Sequence, residues 1–217
     1  MSFFNPNAPL LCRKQSVLEL PPLPGLWRFH WQVGKITVLS TFYTQLDQAC
    51  LVWGVISTVI FVTAQFLPVS WLTQAGWWSV LTGIGSVVMV ALTPNWLKQE
   101  FGWIVYSWII LMGFGLLVTD LSILFGWGIV LMHLCPLWLG LVALGYLCTG
   151  LGLRSRTLMI TALIHLLSIG ILPYVDSWQF LVTGIITGGG ALLLAEFQWD
   201  SHGTCGNQLK EPLKAEV

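Results

Sequence analysis

Two histidines and two aspartates are the residues of this sequence best placed for chemistry, because they lie in or beside long apolar segments. His133 and His165 stand inside such segments, and Asp120 and Asp176 lie near their ends. An ionisable side chain within a membrane is costly and usually marks a ligand or ion pathway. Imidazole is also a common metal ligand and an axial ligand of haem. The four residues therefore form a candidate site for a haem, a chlorophyll-type pigment or a metal ion, or for proton transfer.

A proline beside His133 adds to the interest of that residue. Pro136 lies three positions after it. A proline inside a helix removes one backbone donor and displaces the carbonyl four residues earlier, here that of Met132. The sequence therefore predicts a helix kink next to His133. A purely structural role stays open for both histidines, because hydrogen bonds between membrane helices also use imidazole.

Other catalytic and ligand-binding patterns are absent from the sequence. There is no GxGxxG, P-loop, HExxH or CxxCH pattern and no nucleophile elbow, so a non-enzymatic protein is expected. The five cysteines form no CxxC pair; their spacing indicates neither a disulfide framework nor a zinc site, and free thiols are predicted. They are Cys12, Cys50, Cys135, Cys148 and Cys205. The formal net charge of zero gives no sign of a nucleic-acid partner.

The composition indicates a membrane protein. Charged residues make up 8% of the 217 residues and hydrophobic residues 56%, and the mean hydropathy is +0.80. A soluble domain carries about a quarter charged residues. So few charges cannot cover a surface that faces water, and the outer surface is therefore predicted to face lipid.

Six apolar runs are long enough to be membrane helices. A helix needs about 20 residues to cross roughly 30 Å of hydrocarbon. The runs lie near 48–67, 75–93, 101–119, 127–149, 156–173 and 177–197. They predict an all-α polytopic bundle of six transmembrane helices. A weak similarity between the turns of the first and last helix pairs is compatible with three helical hairpins.

The basic residues give an orientation to the six predicted helices. Lysine and arginine near membrane helices are retained in the cytoplasm. All nine basic residues fall on the side that holds both termini: Arg13, Lys14, Arg28, Lys35, Lys98, Arg154, Arg156, Lys210 and Lys214. Both termini are therefore predicted to be cytoplasmic. Most tryptophans lie near helix ends and are predicted to anchor the helices at the lipid headgroups, among them Trp71, Trp77, Trp78, Trp127 and Trp178 on one side and Trp96, Trp103 and Trp199 on the other.

The pattern divides the chain into a cytoplasmic N-terminal segment, 1–47, a membrane domain, 48–197, and a loose cytoplasmic tail, 198–217. The N-terminal segment is expected to be extended at first. Apolar and polar residues then alternate over 27–33, and apolar residues recur at helical spacing over 36–46. We expect 26–47 to lie on the membrane surface, or alternatively to dock a partner protein.

Small residues predict where the helices touch, because glycine and hydroxyl side chains let helix backbones approach closely. The motifs are Gly184-xxx-Gly188, followed by Gly189 and Gly190, together with Ser79-xxx-Gly83 and Gly54-xxx-Thr58. A hinge at the glycine run 188–190 is the alternative interpretation.

Three functions remain open at the level of sequence. The first is an accessory, assembly or scaffold subunit of a larger membrane complex, since the lipid bilayer and neighbouring membrane proteins are the partners that an apolar, small-residue surface suits. The second is a cofactor-binding electron-transfer subunit that uses His133 and His165. The third is a small oligomeric transporter, which the scarcity of polar residues within the predicted helices disfavours.

Overall fold

The described part of the chain is a helical bundle with a few short strands, which confirms the all-α prediction. The computed structural model describes residues 9–14, 27–33, 36–94 and 101–200. The helices in these ranges are α1 Gln45–Phe66, α2 Trp71–Leu92, α3 Gly102–Phe125, α4 Gly128–Met132, α5 Leu134–Gly152, α6 Arg156–Ile169 and α7 Leu172–Glu196. Five of them, α1, α2, α3, α5 and α7, are long and apolar enough to cross a membrane. Helix α6 has 14 residues, or about 21 Å.

The helices begin and end where local chemistry requires it. Thr44 caps α1 in a reciprocal capping box with Asp47, and serine hydroxyls cap α2 and α6. Gly126 ends α3 with φ 66°, a left-handed conformation that costs glycine little. The predicted kink is confirmed, because the helical path breaks at His133 between α4 and α5. Pro136 cannot donate a backbone hydrogen bond to this break.

Helix α7 is irregular along its length. It begins with a short α-helical turn, Leu172–Val175, and a 3-10 turn, Asp176–Trp178. Two α-helical segments then flank the π-helical segment Ile185–Gly189. Segments of π-helix are rare and are frequently found at functional sites.

The N-terminal region forms two strands, one over 27–33, where apolar and polar residues alternate, and one over 36–43, where the apolar residues have helical spacing. Strands β2 (Trp27–Val33) and β3 (Ile36–Tyr43) pair as an antiparallel hairpin. The helical spacing over 36–46 was therefore misleading, and the prediction of helical periodicity there is wrong. The sequence of β3, ITVLSTFY, is rich in β-branched and aromatic residues, which favour a strand. Strands β1 (Leu11–Arg13) and β4 (Phe197–Trp199) also pair antiparallel, joining the two ends of the chain.

A buried lysine ties the beginning of α1 to the end of α7. The Lys14 ammonium donates to Asp47 Oδ2 at 2.9 Å, to the Phe42 carbonyl at 2.8 Å and to the Ala195 carbonyl at 2.5 Å. It also lies 4.2 Å from the centre of the Tyr43 ring. The first and last long helices therefore start and finish at the same end of the bundle, which we call the proximal end; the opposite end is the distal end.

The predicted contact between α1 and α7 is confirmed, and that of α2 is wrong in detail. A Cβ on Gly188 would lie 3.0 Å from the Gly54 carbonyl oxygen and 3.1 Å from the Thr58 nitrogen, so the two backbones touch. A Cβ on Gly83 would meet nothing within 4 Å, whereas one on Gly85 would meet Ile56 at 2.8 Å. Helix α6 packs mainly against α5. The last pair of helices therefore does not form a packed hairpin.

Two tryptophans and one cysteine also depart from the predictions. Trp78 is 4% exposed and Trp199 is 6% exposed, so these side chains lie inside the protein and do not anchor it in the headgroups. Trp96 lies outside the described residues. Cys12 is disulfide-bonded, whereas Cys50, Cys135 and Cys148 are free. Cysteine spacing could not have indicated this bond, because the pairing that places Cys12 opposite Gln198 joins distant parts of the chain.

Candidate ligand-binding site

His133 lies in the helix break near the distal end. Its side chain is exposed. Its Nδ1 is 2.8 Å from the carbonyl oxygen of Ile129, four residues earlier. A carbonyl oxygen only accepts hydrogen bonds, so Nδ1 carries the hydrogen and Nε2 presents a lone pair. His133 therefore turns its unprotonated nitrogen away from this local bond and lies on the outside of the bundle.

His165 makes the same local hydrogen bond in a different environment. Its Nδ1 is 2.8 Å from the Thr161 carbonyl oxygen, so its Nε2 is again the nitrogen with the lone pair. The side chain is only 1% exposed, and the ring centre lies 5.2 Å from that of Tyr146 on α5. Within the described residues, Nε2 has no hydrogen-bond partner. A buried acceptor without a donor is unfavourable.

The two aspartates occupy separate positions. Asp120 is half-buried on α3, and its Oδ2 accepts a 2.8 Å hydrogen bond from the Ser79 hydroxyl on α2. Asp176 is exposed in the irregular start of α7, with φ 32°. Within residues 9–14, 27–33, 36–94 and 101–200, neither aspartate forms a hydrogen bond or an ion pair with a histidine.

The two histidines do not lie at one level of the bundle, although counting residues from the outer ends of the predicted helices 127–149 and 156–173 places them at a similar depth. His165 contacts Tyr146, which follows His133 by 13 residues in the sequence. That separation corresponds to about 20 Å along a helix. Counting from the distal ends failed because α6 is short and its register against α5 is set by the turn at the proximal end. A role for each histidine in binding a cofactor stays a prediction.

A large apolar groove runs between α6 and α7, and His165 lines it. Its volume is about 640 Å³, within the range of roughly 300–1,000 Å³ typical of ligand pockets. Its remaining lining comes chiefly from aliphatic residues and glycines, among them Ile160, Ile164, Ile185, Gly189, Gly190 and Leu193. The isoleucines and Leu193 are also exposed on the outside of the bundle. We call this feature the α6–α7 groove.

Beside His165, the wall of the groove that α7 forms consists of glycines, which have no side chains to fill the space. A Cβ on Gly189 would meet nothing within 4 Å, and one on Gly190 would lie 3.6 Å from His165 Cε1. The edge of the imidazole ring that carries Cε1 therefore faces α7. Gly189 closes the π-helical segment Ile185–Gly189. The buried imidazole, the glycines and the π-helical winding thus coincide in one part of the groove.

Two smaller cavities lie along the axis of the bundle. Their volumes are about 80 and 40 Å³, and both are lined by Trp53, Ser57 and Thr187. The indole nitrogens of Trp53 and Trp78 have no hydrogen-bond partner within the described residues. A water molecule needs about 10–15 Å³ in such a cavity. These two cavities therefore suit a few water molecules, whereas the α6–α7 groove has room for a larger ligand.

A carboxylate at the proximal end fixes the α6 wall of the groove. Asp200 accepts hydrogen bonds from the Ser155 hydroxyl at 2.7 Å, from the Arg156 and Thr157 backbone nitrogens at 2.9 and 3.0 Å, and from Arg156 Nε at 2.9 Å. Burial favours the neutral acid, but these hydrogen bonds outweigh it and hold the pKa of Asp200 below its ordinary value. Asp200 thus caps the start of α6 from beyond the end of α7.

The mouth of the groove at this end carries a second polar contact. Glu196 lines the groove and accepts a 2.8 Å hydrogen bond from the Tyr43 hydroxyl. Burial and the neighbouring carboxylate raise the pKa of Tyr43 to about 12. This contact joins the end of β3 to the end of α7.

Sequence reasoning identified His165 but missed its neighbours. The position of Thr161 beside His165 was predictable, because it stands four residues before the histidine and so lies one turn away in a helix. The sequence carried no signal for Tyr146 or Asp200, because both act across tertiary contacts. The glycines were recognised, but Gly189 and Gly190 were assigned to a contact or a hinge and not to a groove.

Comparisons with protein-family models, with curated proteins and with solved structures found no match to this chain.

Proposed function

We propose that this protein is a non-enzymatic integral membrane protein that binds an apolar, membrane-borne molecule in the α6–α7 groove. The observation that carries the proposal is the groove itself, which has a volume of about 640 Å³ and is lined chiefly by aliphatic side chains, with the ring of His165 in its wall. An apolar body fits these aliphatic walls. This combination of an apolar pocket with few polar groups is typical of ligand sites.

The location of the groove supports delivery of the ligand from the bilayer. Ile160, Ile164 and Ile185 line the groove and are exposed on the outside of the bundle. In a membrane, such exposed isoleucines contact lipid. A molecule dissolved in the hydrocarbon therefore reaches the groove from the side without crossing an aqueous phase.

The structure supports ligand binding better than it supports transport or a purely structural role in a complex. A transporter needs a path for its solute, and the axial cavities have volumes of only about 80 and 40 Å³. A role as an accessory or scaffold subunit is compatible with ligand binding, since a subunit that carries a ligand can belong to a larger complex. The accessory or scaffold role is the second candidate function. The close backbone packing of α1 and α7 supplies the rigid frame that either function requires.

We also propose that the chain crosses the membrane six times. Lys14 binds both Asp47, at the start of α1, and the Ala195 carbonyl, near the end of α7, so the first and last spans meet at one face. A chain that enters and leaves at the same face makes an even number of crossings. The five long helices give an odd number, and α6 supplies the sixth crossing.

The orientation is proposed from charge, with both termini in the cytoplasm, because all nine basic residues share their side. The disulfide at Cys12 argues for the opposite, since disulfides persist mainly in oxidising compartments. A reporter fused after Val217 decides between the two. Activity in the cytoplasm supports our proposal, and activity on the other side reverses the orientation.

The ligand is tested by blocking the groove. In Gly189→Phe the new side chain enters the groove, whereas in the matched control Gly83→Phe it enters open space on α2. Both variants and the unaltered protein are purified in mild detergent, and their bound organic molecules are extracted and quantified by mass spectrometry. We expect one apolar species to accompany the unaltered protein and Gly83→Phe but not Gly189→Phe. Identical extracts from all three proteins would contradict the proposal.

A further inference from the structure

We infer that the α6–α7 groove holds one acyl chain of a phospholipid from the membrane leaflet at the proximal end, and that Glu196 binds a primary ammonium in the head group of that lipid. This inference rests on the proposed function and gives the ligand a chemical class. Three features of the described residues carry it: the depth of the groove, its opening toward the hydrocarbon and the carboxylate at its mouth.

The depth of the groove matches one leaflet of a bilayer. On α6 the lining extends from Thr157, beside the proximal end, to His165, and on α7 it extends from Glu196 to Ile185. With a rise of 1.5 Å per residue, these stretches are about 12 and 17 Å long. The hydrocarbon of a bilayer is about 30 Å thick, so one leaflet contributes about 15 Å. A chain that enters at the proximal end therefore reaches the middle of the membrane where the groove ends.

The side of the groove is open to the hydrocarbon along this depth. Ile160, Ile164 and Ile185 line the groove and are half-exposed on the outside of the bundle. The space beside Gly189 is also open. An acyl chain is narrow, flexible and apolar, so it can enter this space from the side without any movement of the helices. It contacts the edge of the His165 ring and needs no hydrogen bond from that side chain.

Glu196 places a carboxylate at the mouth of the groove. It is the last residue of α7, it lines the groove and its side chain is exposed. Its Oε1 accepts the 2.8 Å hydrogen bond from the Tyr43 hydroxyl, which holds the side chain in place. A carboxylate accepts several hydrogen bonds, so Glu196 can also accept one from an ammonium group.

Charge complementarity at the mouth favours a cationic head group. Two basic side chains at the proximal end are already paired, Lys14 with Asp47 and Arg156 with Asp200, each at 2.9 Å. A primary ammonium brings both an opposite charge to Glu196 and hydrogen-bond donors, and charge-assisted hydrogen bonds are stronger than neutral ones. Phosphatidylethanolamine carries such an ammonium, whereas the head group of phosphatidylglycerol has no positive charge.

Lipid competition tests the head group. The full chain is purified in mild detergent, phosphatidylethanolamine and phosphatidylglycerol with the same acyl chains are added in equal amounts, and the bound lipids are counted by native mass spectrometry. We expect phosphatidylethanolamine to be preferred by about tenfold, which corresponds to about 1.4 kcal/mol. Equal binding of the two lipids, or a preference for phosphatidylglycerol, would overturn the assignment of the head group.

Two substitutions of Glu196 test whether its charge is responsible. Glu196→Gln keeps the size of the side chain and an oxygen that accepts from Tyr43, but it loses the charge, and we expect the two lipids to bind equally. Glu196→Asp keeps the charge and should retain a preference for phosphatidylethanolamine. A Glu196→Gln protein with the same preference as the unaltered protein excludes Glu196 as the binding group.

A photoreactive lipid tests where the chain lies. Phosphatidylethanolamine with a diazirine in the middle of one acyl chain is irradiated with the protein, and the labelled peptides are identified by mass spectrometry. We expect label on α6 and α7 beside the groove, and we expect its loss in Gly189→Phe but not in Gly83→Phe. Equal labelling of the exposed face of α2, which carries Val80 and Val87, would show that the lipid surrounds the bundle without occupying the groove.

The outcomes separate this inference from the proposed function. If the protein does not distinguish the two head groups while Gly189→Phe still removes an extracted apolar molecule, the groove binds a different membrane-borne molecule. The phospholipid is then wrong and the proposed function stands. If the extracts are also identical, both fail.

Discussion

Helix α7 has two faces that use the same residue type in opposite ways. On one face, Gly184 and Gly188 lie against α1, where an added Cβ would come within 2.7 Å of the Phe61 Cβ or 3.0 Å of the Gly54 carbonyl oxygen. On the other face, Gly189 has nothing within 4 Å and borders the groove. Consecutive helical residues point about 100° apart, so neighbouring glycines serve a closed contact and an open one.

The difference shows how packing and binding can share one helix. Membrane helices associate mainly through close packing, which small residues permit, and the α1 face satisfies that requirement. On the α6 face, glycine leaves space that the protein itself does not fill, and an unfilled space loses dispersion contacts. Either lipid or a specific ligand must supply those contacts. We call the side of α7 that packs on α1 the closed face and the side that borders the groove the open face.

The largest effect is expected from Gly188→Leu. Its side chain would begin within about 3 Å of the Gly54 and Thr58 backbones, which cannot yield without separating the helices. We expect the free energy of unfolding to fall by about 3 kcal/mol, at the upper end of typical overpacking effects, and Gly184→Leu to behave similarly. The measurement is reversible unfolding in mixed detergent micelles. Gly83→Leu is the control; if Gly188→Leu is no less stable than this control, the close contact between α1 and α7 does not exist.

The packing of the closed face was predictable from the sequence. The motifs around Gly54 and Gly188 have helical spacing. Such spacing can be recognised in one segment without knowing which other segments pack against it. The segment 36–46 shows the weakness of spacing within one segment. Its four apolar residues at helical spacing predicted a helix, but the segment is also rich in β-branched residues and pairs with β2. Periodicity describes one segment, whereas strand pairing depends on a second one.

The second effect concerns Asp200, which holds the start of α6 and hence the other wall of the groove. Asp200→Ala leaves the Ser155 hydroxyl and the Arg156 and Thr157 backbone N–H groups without their acceptor. We expect a loss of about 1–3 kcal/mol, the range for removing one partner of buried hydrogen bonds. Asp200→Asn, which retains one acceptor oxygen, should lose less. Equal stability of all three proteins at neutral pH would contradict the capping role.

The lowered pKa of Asp200 also predicts a pH dependence with a definite sign. The unfolded aspartate has a pKa of about 3.9, and the folded one lies below it. The stabilisation is therefore complete above about pH 4 and is lost as the pH falls through the folded pKa. Unfolding of the unaltered protein and of Asp200→Asn should converge as the pH is lowered through this window. Parallel curves would show that Asp200 does not titrate with folding.

The candidate site was only partly predictable, because the two histidines look alike in the sequence. Each stands in an apolar segment and each donates to the carbonyl four residues earlier. The fold distinguishes them: the break at His133 leaves that ring outside, while α5 places Tyr146 against His165. Burial of this kind depends on which helix face meets which neighbour, and no single-segment pattern contains that information.

A third, smaller effect is expected at the distal end of the closed face. Gln65 at the end of α1 donates to the Ser177 carbonyl at 2.9 Å and accepts from the Leu181 nitrogen at 3.2 Å. Gln65→Leu removes both bonds to α7. We expect a loss of about 1 kcal/mol, since the first bond is exposed and water can replace it. Unfolding in detergent micelles measures the change in stability. Gln65→Glu retains the acceptor oxygen and should therefore lose less stability than Gln65→Leu. A Gln65→Leu protein as stable as the original would limit the closed face to its glycines.

The smallest effect should have the opposite sign. Gly189 has φ −62° and ψ −41°, values that alanine adopts without strain, and an added Cβ meets nothing within 4 Å. Alanine restricts the unfolded chain more than glycine does, which typically stabilises a compatible position by about 0.4–1 kcal/mol. Gly189→Ala should therefore unfold slightly later than the unaltered protein, while Gly188→Ala, one position away, should unfold earlier. Changes in stability of opposite sign at these adjacent glycines would distinguish the closed face of α7 from its open face. If both variants are destabilised, α7 is packed on both sides, and the α6–α7 groove is closed in the membrane-embedded protein.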